Sequence, residues 1–138
     1  MWIDQAVWVR SDASQIDPSG PVPLVSFGED CSCRYTAVNA LHRVGRECDF
    51  VFTSRSIASL EAAVLAGLGI MVRSSFTLED DFSSGRLVQL LKGHHLGRMP
   101  VNLVYPSRRL MSYKVRSFVD FMSAQFPAPD TDPWVGLM

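Results

Sequence analysis

The sequence predicts an α/β fold, and three observations carry that prediction. Short apolar runs of strand length alternate with stretches whose apolar residues recur at three and four. Turn-forming residues separate these segments by short links. The chain has 138 residues, 47% apolar and 20% charged, which is one domain's worth of sequence with enough apolar material for a core. Strands alternating with helices predict a parallel sheet with right-handed crossovers.

The elements follow in order. Residues 5–10 (QAVWVR) are the first expected strand. A polar connection runs over residues 11–23, with its turn at Asp17-Pro18-Ser19-Gly20-Pro21. Residues 24–27 (LVSF) are the second strand, ended by Gly28. Arg34, Ala37, Val38, Leu41 and Val44 then form one helical face; Asp30 or Ser32 is the expected N-cap and Gly45 the stop. Residues 48–53 (CDFVFT) are a strand, and the adjacent Phe50, Val51 and Phe52 predict burial on both faces. Ser56 caps a second helix whose inner stripe is Ile57, Leu60, Ala63, Val64 and Gly67. Residues 70–72 are a third buried strand.

A short helix over residues 77–83 is expected next, capped by Thr77, with Glu79, Asp80 and Asp81 where the helix dipole favours acids. Gly85 ends it. A strand over 87–91, a loop over 92–100 carrying His94 and His95, and a strand over 101–105 stopped by Pro106 complete the sheet. Ser112 caps the last helix, whose expected inner face is Val115, Phe118, Val119, Met122 and Phe126. The proline-rich residues 127–138 are an expected flexible tail.

Charge and composition narrow the function. With 13 basic and 14 acidic residues the net charge is -1, so no DNA or RNA binding is expected of this chain alone. The longest apolar stretch, residues 58–72, contains Glu61 and falls short of the roughly 18–20 residues that span a bilayer. Asp4 comes early and no basic region precedes it, which argues against a signal peptide. Three cysteines, Cys31, Cys33 and Cys48, make no disulfide framework. These features predict a cytoplasmic protein with reduced thiols and no membrane partner.

In such folds ligands bind outside the carboxyl ends of strands, near helix N-termini. Two segments have that setting, residues 27–32 and residues 53–56. Phe27, Cys31 and Ser32 in the first, and Thr53, Ser54 and Ser56 in the second, offer hydroxyls, a thiol and backbone N–H groups. Together they make a cradle for a carboxylate or phosphate.

Other chemistry finds little support. Cys31 and Cys33 at a helix N-terminus could act as a thiol switch, but cysteines one residue apart close a strained ring, and small residues in a ligand cleft are the better reading. His42, His94 and His95 lie at no metal-ligand spacing, so no metal or cofactor is expected. No nucleophile elbow surrounds Ser54 or Ser56, and capping accounts for Ser56. Gly67-Leu68-Gly69 ends a helix where a dinucleotide loop would begin one. Arg108, Arg109, Lys114 and Arg116 make a solvated basic cluster.

The ordered set of motifs resembles a known family. It comprises residues 23–27 (PLVSF), Cys31, Arg34, Ala37, Ala40-Leu41, Gly45-Arg46, Phe52-Thr53-Ser54 and residues 62–70 (AAVLAGLGI), then residues 101–109 (VNLVYPSRR) and 114–119 (KVRSFV). These resemble the effector-binding domain of LysR-type transcriptional regulators, over about residues 5–126. The resemblance implies a periplasmic-binding-protein-like fold of type 2 with two lobes. Residues 23–72 would be a complete second lobe. The first lobe would be partial: residues 1–22 its crossing strand and linker, residues 73–126 its C-terminal part. The winged helix-turn-helix, the linker helix and the first βαβ units of the family have no counterpart here, so a fragment with weakened ligand affinity is expected. The resemblance further implies a small, anionic effector bound between the lobes, no catalysis, self-association as a homodimer, and DNA binding only by a parent regulator. Two other classes stay open on the residues: a small α/β enzyme (hydrolase or thiol reductase), and an interaction fragment that pairs with full-length regulators.

Overall fold

The computed structural model describes residues 2–94, 96–105 and 111–126. Its organising element is a long strand, β1 (Trp2–Ser11). Along β1 the side chains alternate between two cores. Val7 and Val9 join one, with Leu60, Ala63, Val64, Met71, Leu78 and Leu87. Ala6 and Trp8 join the other, with Val22, Leu24, Ala37, Ile70 and Val72. Period-two alternation with both faces apolar is what an inner strand needs.

Three strands pair with β1, all antiparallel. β4 (Met71–Ser74) runs beside Ala6 to Val9, β5 (Leu87–Leu90) beside Trp8 to Ser11, and β6 (Arg98–Val101) beside Trp2 to Gln5. The expectation of a parallel sheet throughout therefore holds only for the second, two-stranded sheet. There β2 (Val22–Ser26) and β3 (Cys48–Thr53) are parallel, and Leu24 makes a parallel bridge to Ile70. Alternation of strands and helices identifies the segments but leaves open the direction from which a distant partner returns to β1.

The helices are α1 (Ser32–Arg43), α2 (Ile57–Leu65), the five-residue α3 (Glu79–Ser83) and α4 (Tyr113–Gln125). α2 buries Leu60, Ala63 and Val64 as expected, but Ile57 at its first position is exposed. Gly67 ends α2 at φ +83°, a conformation open to glycine. Two residues on, a Cβ at Gly69 would lie 2.5 Å from the Pro23 carbonyl oxygen. That oxygen accepts the Ile70 N–H at 2.9 Å, so β4 joins β2 only because residue 69 has no side chain. The turn expected near residues 17–21 also forms. The Asp17 carboxylate accepts the Ser19 amide at 2.9 Å and its hydroxyl at 2.6 Å.

Several local expectations are corrected. β3 is not buried on both faces: its residues alternate between half-buried and exposed, because among the described residues its one strand neighbour is β2. The segment before α3 is a 3-10 turn, Ser75–Leu78, and Thr77 donates its hydroxyl to the Ser74 carbonyl at 2.9 Å in place of capping. The strand expected over 101–105 is shifted, since pairing with β1 selects Arg98–Val101. The expected inner face of α4 is not a buried one among the described residues: Val115 and Phe118 are exposed and Val119, Met122 and Phe126 half-buried. His95, Pro106, Arg108, Arg109 and the tail over 127–138 lie outside the described residues.

Candidate functional site

β2 and β3 run parallel with Ser26 beside Thr53, so both deliver their carboxyl ends to one edge. A helix starts just beyond each. The Ser54 amide donates to the Ser26 carbonyl at 3.2 Å and joins the two strand-to-helix loops directly. The six candidate residues thus fall at one edge of the sheet: Phe27, Cys31 and Ser32 on the first loop, Thr53, Ser54 and Ser56 on the second. Phe27, Cys31 and Ser54 are half-buried, while Ser32, Thr53 and Ser56 are exposed.

The two helix starts differ. At α2, Ser56 caps as expected: its Oγ accepts the Ser59 amide at 3.4 Å, and the Ser56 amide donates to Ser54 Oγ at 3.1 Å. At α1 the N-cap is Cys31, not Asp30 or Ser32, and its side chain makes no capping bond. A thiol is a weak acceptor, so this start keeps its first-turn N–H groups without a side-chain acceptor at the cap. A helix start in that condition favours an anion.

Three charged residues outside the candidate set tie neighbouring elements together. Arg34 looks like one more position on the inner face of α1. Its Nη1 donates to the Phe27 carbonyl at 3.3 Å, and its guanidinium carbon sits 3.6 Å from the centre of the Phe50 ring. It therefore holds the first loop against β3. Arg73 is a buried cation on β4, its side chain 10% exposed, paired with Glu61 of α2 at 2.9 Å. Its Nε atom has no hydrogen-bond partner among the described residues. Asp4 on β1 is buried too; its carboxylate accepts the Ser75 hydroxyl and the Gln5 amide at 2.9 and 2.8 Å, and also the Ser74 hydroxyl. The signal for Arg73 and Asp4 was a charge inside an otherwise apolar strand run.

Cys33 points beneath the first loop, beside a cavity of about 10 Å³ bounded by Phe27, Ala37, Leu60 and Val72. That space holds no more than a water, so a ligand at this edge would sit outside it. Burial pushes the Cys33 thiol above its ordinary range and neighbouring Cys31 adds to the rise, against the opposing pull of Arg73. All three cysteines are free thiols. Among the described residues no group of three or more His, Cys, Asp or Glu could hold a metal, and no helix is long and apolar enough to cross a membrane.

Known proteins share this fold. The family model described as LysR substrate binding domain matches residues 8–127. YhjC of Escherichia coli (strain K12), an uncharacterized HTH-type transcriptional regulator, is 30% identical over 117 residues, covering 77% of this chain and 38% of that protein. The HTH-type transcriptional regulator PtxR of Pseudomonas aeruginosa is 40% identical over 57 residues, 41% of this chain and 18% of PtxR. The chain thus spans less than half the length of the curated relatives it matches. Among solved structures, the regulatory domain of HypT from Salmonella typhimurium aligns with a TM-score of 0.66 at 13% identity, covering 91% of this chain and 63% of that one. The regulatory domain of Synechocystis CcmR in complex with 2-PG gives 0.62 at 18% identity, covering 91% and 64%. Both likenesses establish the fold and bear out the periplasmic-binding-protein-like class. The family match runs from the middle of β1 past the end of α4 and contains both helix starts and the edge that joins them; the chain belongs to the LysR substrate-binding domain family.

Proposed function

We propose that this chain is the effector-sensing domain of a LysR-type transcriptional regulator, and that it binds a small anionic metabolite at the edge where α1 and α2 begin. One observation carries the reading: the Ser54-to-Ser26 hydrogen bond brings an uncapped helix start and a serine-rich one to the same edge. Backbone N–H groups of α1 hold the anion, and Ser32, Thr53, Ser54 and Ser56 orient it. Phe27 and Cys31 supply the apolar side of the cleft. The 2-PG held by the Synechocystis regulatory domain is an anion of the required kind.

In this reading the edge lies on one lobe and the effector is held between it and a second. The effector acts through its differential affinity for open and closed lobes. No chemistry is assigned to the site. Ser56 Oγ is engaged as a cap, and burial keeps Cys33 protonated. The regulator works in the cytoplasm as a homodimer, and DNA contacts belong to another part of it.

An amide-resolved NMR titration with inorganic phosphate and with 2-PG tests the site. The expected result is saturable shifts at Ser32, Cys33 and residues 54–57, weakened at least tenfold by Ser32→Glu, which sets a carboxylate at the start of α1. Amides there that stay still while others respond would place the site elsewhere.

A further inference from the structure

The far end of α1 borders a second concavity, unrelated to the edge just described. α1 has 12 residues, so its two ends stand about 18 Å apart. At the C-terminal end, a groove of about 620 Å³ opens between α1, β2, β5 and the loop that follows β5. That volume lies within the range of small-molecule sites. Its floor and walls are apolar: Trp8, Ile70, Leu41, Leu90 and Leu96. Its charged groups, Arg43 and Arg46, are of one sign. Arg43, Arg46 and His94 line it, and no acidic side chain among the described residues does. Arg46 is fixed at the rim by a hydrogen bond of 3.0 Å from its Nη2 to the Gly20 carbonyl.

The mouth carries a second anomaly. Leu91 has φ +52°, a left-handed conformation that an ordinary side chain adopts rarely. Its side chain is 61% exposed. A strained backbone here presents an apolar group to water at the lip of an apolar groove. Val44, at the opposite lip, is 70% exposed.

We propose that this groove is a second ligand site, and that it takes an amphipathic carboxylate: an aliphatic or aromatic body with one anionic head. The body covers Trp8, Leu90 and Leu96 and shields Leu91 and Val44. The head meets Arg43, which lies in the last turn of α1. This site does not rest on the effector reading, since it shares no residue with the edge between α1 and α2.

Decanoate below its micelle concentration is the probe, with decanol as its uncharged analogue, titrated into the 138-residue chain by calorimetry. The expected result is one saturable site for decanoate. Arg43→Glu weakens decanoate at least fivefold and leaves decanol within twofold. Val44→Glu weakens both, and its high exposure leaves the fold intact by circular dichroism. Ser32→Glu changes neither. A readout independent of those variants is the amide NMR spectrum, in which decanoate shifts the resonances of Leu41, Val44, Leu90 and Leu91 and leaves those of Ser54 and Ser56 in place. Unsaturable uptake, affinity indifferent to both groove variants, or groove amides that do not move overturn the proposal. So does a chain that ignores decanoate while Val44→Glu dissociates an oligomer, because the groove then belongs to a second copy.

Discussion

Cys33 shows how one side chain links the core to solution conditions. Its thiol is half-buried under the first loop, and burial, then Cys31, raises it above the ordinary 9.0. The unfolded chain binds fewer protons than the folded one once pH passes that ordinary value. Stability therefore falls as pH rises from there towards the raised folded value, and is unaffected by this group below it. Denaturant unfolding between pH 8 and 10.5 should show wild type losing stability more steeply than Cys33→Ala. Parallel slopes would mean that Cys33 ionises in the folded state as freely as in the unfolded one. The sequence placed Cys33 at a helix start, where thiols tend to acidify. The reverse shift arises because its side chain turns inward between α1 and α2, which residue type alone does not reveal. Arg73 and Asp4 were hidden for the same reason. Each is a charge in a strand, and only the distant Glu61, Ser74 and Ser75 explain how it is tolerated.

Elements with a local signal were legible. Ser56 and Ser112 both cap the helices expected of them, each accepting the amide three residues on. The apolar stripe of α2 and the stop at Gly67 follow from spacing and from glycine's freedom at positive φ. Elements set by distant pairing were not. β6 begins three residues before its expected start because Met99 and Pro100 find Asp4 and Ile3 across the ladder. The full burial expected of β3 fails because a run of adjacent apolar residues does not say how many neighbours a strand will have. Gly69 carries a prediction at this scale. Gly69→Ala drives a methyl into the Pro23 carbonyl, which sits at the junction of β2 and β4 and cannot swing aside like a side-chain tip. The expected loss is about 1–3 kcal/mol in thermal or urea unfolding. Gly28→Ala, with nothing within 4 Å of the new methyl, should shift stability by less than about 0.5 kcal/mol. Equal effects at the two sites would show that the close approach is relieved by backbone movement.

At the scale of the molecule the two flanks are unequal. The part around α1 and α2 surrounds two apolar cores, whereas α4 buries none of its residues, with Tyr113 85% and Phe118 57% exposed. Exposed aromatic faces of this kind mark association surfaces. Light scattering on the chain at micromolar concentration should give at least twice the 15.3 kDa of one copy, and Phe118→Glu should return it towards one. A folded monomer with α4 amides protected from hydrogen exchange would contradict this.

The pairing of β1 has a further consequence, for the order in which the chain acquires structure. Its partners are remote in sequence: Ala6 waits for Ser74, Trp8 for Leu90 and Trp2 for Val101. During synthesis β1 leaves the ribosome before any of these partners. β2, α1, β3 and α2 can close on one another while β1 has nothing to pair with. Loop closure over such spans makes the central sheet the slow step of folding. A nascent chain stopped before Met71 thus holds β1 with both backbone edges unpaired, the kind of segment that chaperones hold and that unprotected chains aggregate through.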